Sequence, residues 1–102
     1  MRLEYYSEEK LRKELKDIIG KQLDLRSYRL FFFGSRAAGK GTDRSDIDVG
    51  IEGPREIPLE IMARLKEALE NLPLLYKVEL VDFKNAPEDF RKIALQSIEP
   101  IL

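Results

Sequence analysis

A chain of 102 residues has room for one compact core and no second domain. Its 18 basic and 19 acidic side chains nearly cancel, so it lacks the basic excess of a general nucleic-acid binder. Cysteine and histidine are both absent, which excludes disulfides, thiolate nucleophiles and cysteine zinc sites and leaves acid-base and metal chemistry to carboxylates.

The N-terminal MRLEYYSEEKLRKEL is charged throughout, with neither a signal-peptide core nor an apolar stretch near membrane-spanning length. A cytoplasmic protein that makes no use of a membrane is the expectation. Ser7 can cap a helix whose first turn holds Glu8 and Glu9, with Leu11, Leu15, Ile18, Ile19 and Leu23 along one face. Tyr28 to Phe33 is a short, unbroken apolar and aromatic run closed by Gly34, which suits a strand covered on both faces. Residues 46–51, DIDVGI, alternate strictly: Asp46, Asp48 and Gly50 on one side, Ile47, Val49 and Ile51 on the other, as in a half-buried strand.

After Gly53, Pro54 and Pro58, the stretch from Leu59 to Leu72 sets Met62, Leu65, Leu69 and Leu72 at helical spacing and stops at Pro73. YKVELVDF, 76–83, reads as a third strand. Asn85 or Ala86 then caps a last helix with Pro87 in its first position, Phe90, Ile93, Ala94 and Ile98 inward, and an end near Pro100. The expected fold is α/β (α+β), one domain over residues 1–102: a small mixed sheet of three or four strands with helices against it, in the order α-β-β-α-β-α.

Two phosphate-binding readings compete for GSRAAGKGT, residues 34–42. As a Walker A loop, G-x-x-x-x-G-K-G-T should lead straight into a helix, with Ser or Thr after the Lys. Gly41 follows Lys40, and the next segment, DRSDIDVGIEGP, alternates like a strand, so that reading fails on context. The alternative joins Gly34-Ser35 to Asp46-x-Asp48 across ten residues. The loop after the first strand offers backbone N-H groups and a hydroxyl to a triphosphate, and the next strand presents two carboxylates about 6–7 Å apart on one face. Such a pair can hold two divalent ions, which stabilise both the attacking and the leaving oxygen of an in-line displacement. A plain solvent-facing sheet edge is the competing explanation, but Asp is depleted in strands and like charges on one face repel. The third strand offers Glu79 or Asp82 as a third carboxylate; they lie on opposite faces, and the mid-strand Glu79 is preferred.

FFFGSRAAGKGTDRSDIDVGI followed by KVELVDF resembles the minimal nucleotidyltransferases of the DNA polymerase beta superfamily, above all the short stand-alone members often encoded beside a helical HEPN-type protein in toxin-antitoxin pairs. The resemblance implies that Gly34 and Ser35 bind the triphosphate of ATP or another nucleoside triphosphate. It implies that Asp46, Asp48 and Glu79 are catalytic and hold two Mg²⁺ or Mn²⁺ ions, and that Arg36 neutralises phosphate charge, with Lys40 or Arg44 able to stand in for the basic residue that Ala38 replaces. It also implies transfer of NMP, AMP from ATP above all, to an acceptor hydroxyl with release of pyrophosphate. The acceptor would come from a HEPN-type partner or a second copy of the chain in a homodimer. Ala38 stands where many relatives carry arginine, and this motivates an alternative: a weakly catalytic module of the same fold that neutralises or scaffolds its partner.

Overall fold

The computed structural model describes residue 3, residues 5–39 and residues 45–102. Its first element is α1, Glu8–Gly20, which starts as the sequence requires: the Ser7 side chain accepts a hydrogen bond from the Lys10 N-H, and Glu8 and Glu9 face the positive helix end. Leu11, Leu15 and Ile19 recur at helical spacing and are fully buried. β1, Arg29–Phe33, follows, then the single turn α2, Gly34–Ala37, and β2, Ile47–Glu52. α3, Leu59–Glu70, leads to β3, Val78–Asp82, then to α4, Glu88–Ala94, and to a two-residue β4, Glu99–Pro100. The expected order is preserved, with α2 and β4 as short additions.

The four strands form one mixed sheet in the order β3-β2-β1-β4. β1 pairs antiparallel with both β2 and β4, whereas β2 and β3 run parallel and are joined through α3. A strand antiparallel to β1 after the glycine loop is incompatible with a Walker A arrangement.

Strand alternation divides the core in two. Leu30, Phe32, Ile47, Val49, Ile51 and Leu80 point to the face covered by α1 and α3, where Leu15, Leu65 and Leu69 meet them. Phe31, Phe33 and Phe83 point to the opposite face and form a smaller cluster with Val81 and with Ala94, Leu95 and Ile98. β1 is therefore covered on both sides, as its unbroken apolar run requires. The Phe31 and Phe83 rings meet edge to face with centroids 4.8 Å apart, passing over Gly50, where a Cβ would lie 2.4 Å from Phe31 Cε2.

The last helix departs from expectation. Pro87 precedes α4 as its cap, the helix ends at Ala94, and Pro100 belongs to β4. Phe90 and Ile93, expected inward, are 41% and 71% exposed. A seven-residue helix resting on a small aromatic cluster has too little contact area to bury its whole apolar complement. Similarly, α3 stops at Glu70 and not at Pro73. Among the described residues no helix is long and apolar enough to cross a membrane.

Candidate active site

Register brings the loop after β1 onto the carboxylates. Phe33 pairs with Asp48, so Gly34 lands beside the Asp48 side chain. Gly34 has φ of 80°, and a Cβ there would sit 2.2 Å from Asp48 Oδ2. Only glycine can take that backbone shape and admit the carboxylate so closely. From this point the chain enters α2, whose first-turn N-H groups lack partners within the helix and form a natural seat for an anion.

Parallel pairing of β2 with β3 sets Asp48 directly opposite Glu79 on the α4 face of the sheet. Asp46 precedes β2 and is exposed. Burial first, then the nearby charges of Glu79 and Asp46, push the Asp48 carboxyl above its usual range. Lys77 Nζ lies 3.2 Å from Glu79 Oε1, and this contact pulls the lysine pKa upward. Asp82 is committed elsewhere. It accepts hydrogen bonds from the Ile57 N-H at 2.8 Å and the Lys84 N-H at 3.0 Å, so geometry puts Glu79, and not Asp82, beside Asp48.

A cleft of about 580 Å³ opens in front of this edge. Gly34, Ser35, Asp48 and Glu79 line one side, while Phe33, Val81 and the α4 residues Phe90 and Ile93 supply apolar walls. Gln96 and Ser97, just past α4, also line it, and no pattern in the sequence marks them. Phe90 and Ile93 were legible as apolar residues on one helix face, but that spacing alone cannot tell a core face from a cleft wall.

Arg36 stands apart from the expected phosphate contact. It is 7% exposed, its guanidinium lies over the Tyr76 ring at 4.7 Å, and its Nε donates to the Ser45 carbonyl at 2.8 Å. Its place on α2 turns the side chain toward the main core, so it holds the start of β2 in position and does not line the cleft. Lys40 and Arg44 lie outside the described residues.

The donor set suits a hard divalent cation, since the chain has no Cys or His and the site offers carboxylate oxygens. Among the described residues no three acidic groups are closed tightly enough to hold an ion as they stand. The Asp48 carboxyl, raised first by burial and then by the charges of Glu79 and Asp46, is one that a bound cation would return to its ionised form. Asp46, Asp48 and Glu79 fit a site that a cation would draw together.

Comparison with known proteins gives the family and the fold. The family described as "Polymerase beta, Nucleotidyltransferase" matches residues 13–102. The "Probable protein adenylyltransferase MntA" of Haemophilus influenzae is 43% identical over 68 residues, 65% of this chain and 58% of that protein, so the match spans less than two thirds of the relative. A solved minimal nucleotidyltransferase superposes with a TM-score of 0.67 at 25% identity, over 95% of this chain and 99% of that one. A chain of the Shewanella oneidensis complex between a tri-AMPylated HEPN toxin and an MNT antitoxin gives a TM-score of 0.62 at 16% identity, over 92% and 71% of the two chains; this likeness is one of fold alone.

Proposed function

Because the chain belongs to the polymerase beta nucleotidyltransferase family, we propose that it transfers AMP from ATP to a hydroxyl on a partner protein and releases pyrophosphate. The observation that carries this reading is the meeting of Gly34 with the Asp48 carboxylate beside Glu79 at the mouth of one cleft. Gly34 and Ser35 hold the triphosphate against the first turn of α2. Asp46, Asp48 and Glu79 are the residues that would hold Mg²⁺ or Mn²⁺, which when bound neutralises charge on the reacting phosphate.

In the reaction the acceptor oxygen bonds to the α-phosphorus and the bond from that phosphorus to the β-phosphate oxygen breaks. The acceptor's proton passes to Glu79, which is half exposed and so reachable from the cleft. Arg36 acts at one remove, by fixing the Ser45 backbone next to Asp46. The acceptor is a HEPN-type helical protein. The AMPylated toxin bound to an MNT antitoxin in the structural neighbour supports that choice, as does the adenylyltransferase name of the MntA relative. Such a reaction draws on cytoplasmic ATP.

Ala38, exposed on the cleft where many relatives carry arginine, favours a second reading, in which the chain restrains its partner by binding with little turnover. Both are tested by following partner activity with wild type and with an Asp46→Ala, Asp48→Ala double variant. Catalytic control predicts that the double variant binds the partner and leaves it unmodified and active. Equal control by the two proteins would support the binding module.

A further inference from the structure

We propose that Gln96 selects the base of the bound nucleotide and that the base it selects is adenine; this rests on the nucleotidyl-transfer reading and specifies its substrate. The cleft is larger than its phosphate end requires. At about 580 Å³ it falls in the range of sites that enclose a whole small-molecule ligand. Away from Ser35, Asp48 and Glu79, its walls are apolar apart from Gln96 and Ser97, with Phe33 and Phe90 meeting edge to face at 5.9 Å. Apolar walls suit a base, and a purine covers more of them than a pyrimidine does.

The fold delivers Gln96 to this end. β4 runs antiparallel to β1, with Phe31 opposite Pro100 and Phe32 opposite Glu99. Residues just before β4 therefore pass the C-terminal end of β1, where Gly34 and Ser35 begin. Turn hydrogen bonds, from the Gln96 N-H to the Ile93 carbonyl and from the Ser97 N-H to the Ala94 carbonyl, fix the backbone there. Leu95 and Ile98 on either side pack into the aromatic cluster, while the Gln96 side chain is exposed on the cleft.

The chemistry of the side chain singles out the base. A serine hydroxyl such as that of Ser97 rotates to donate or accept and discriminates poorly. A carboxamide presents a donor beside an acceptor, which matches the N7 acceptor and N6 donor of adenine. Guanine offers two acceptors along the same edge, and the Gln96 oxygen would then face one of them unpaired.

The test is calorimetric titration of wild type, Gln96→Leu and Gln96→Arg with ATP and GTP in magnesium buffer. Wild type is expected to bind ATP more tightly than GTP. Gln96→Leu should lose about 5- to 100-fold in ATP affinity with little change for GTP, and Gln96→Arg should turn the ratio toward GTP, since Arg pairs with guanine O6 and N7. Position 96 is exposed, so melting temperatures should stay at the wild-type value and the ratios report recognition. If wild type transfers AMP yet Gln96→Leu keeps its ATP-to-GTP ratio, the assignment of Gln96 is overturned while nucleotidyl transfer stands. If wild type binds no nucleoside triphosphate, both are overturned.

Discussion

Asp48 is subject to two opposed demands. The proposed transfer needs it ionised, whereas burial and the charges of Glu79 and Asp46 penalise the ionised form and raise its pKa. Because the folded pKa lies above the unfolded value, its favourable contribution is full below the ordinary aspartate range and is lost as pH rises through the raised pKa. In chelator at pH 7, Asp48→Asn should therefore melt above wild type, with the advantage fading as the pH falls through that window. Saturating Mg²⁺ should reverse the order, because an ion held as proposed would stabilise only the intact carboxylates. Thermal melts across pH, with and without the cation, check both signs; a variant that melts below wild type in chelator at pH 7 would refute the charge argument. In Gly34→Ala the methyl would meet Asp48 Oδ2 at 2.2 Å in a positive-φ backbone, so transfer should fall at least about tenfold, with roughly 1–2 kcal/mol of strain in a denaturant titration.

β2 is the element on which both the core and the cleft are built. Its alternation sends Ile47, Val49 and Ile51 into the main core and leaves Asp48 and Gly50 on the cleft face. Gly50 has no side chain because the Phe31 and Phe83 rings occupy that space. Gly50→Ala should cost about 1–3 kcal/mol by overpacking, and each kcal/mol lowers the melting temperature by about 4–8 °C in a domain of this size. An unchanged melting curve would show that the aromatic cluster is looser than the ring contacts imply. The same alternation made β1 and β2 legible in the sequence, because period 2 and an unbroken apolar run are direct consequences of burial on one face or two. α2 and β4 were not legible. A four-residue turn opened by a positive-φ glycine and a two-residue strand ending in proline are too short for any period, and only pairing with β1 defines the latter. The carboxylate face could be read from spacing, and the Asp82 hydrogen bonds then favoured Glu79. Arg36 could not, since its direction depends on Tyr76, 40 positions away in the chain.

For the whole molecule, the sheet separates stability from chemistry. α1 and α3 build the main core on one face, while the cleft lies on the other, under the short α4. Leu15→Ala, at a fully buried position, should cost about 2–5 kcal/mol. Ile93→Ser, at a position 71% exposed on the cleft wall, should stay within about 0.5 kcal/mol of wild type while weakening nucleotide binding. Chemical denaturation paired with nucleotide titration checks the separation, and a large stability loss for Ile93→Ser would contradict it. The central claim, that the cleft transfers a nucleoside monophosphate, is tested most directly by giving the protein and its HEPN-type partner ATP labelled at either the α- or the γ-phosphate. The α-label should become attached to the partner and the γ-label should leave as pyrophosphate, with both events lost in the Asp46→Ala, Asp48→Ala variant. Attachment of the γ-label, or transfer that survives loss of both carboxylates, would contradict it.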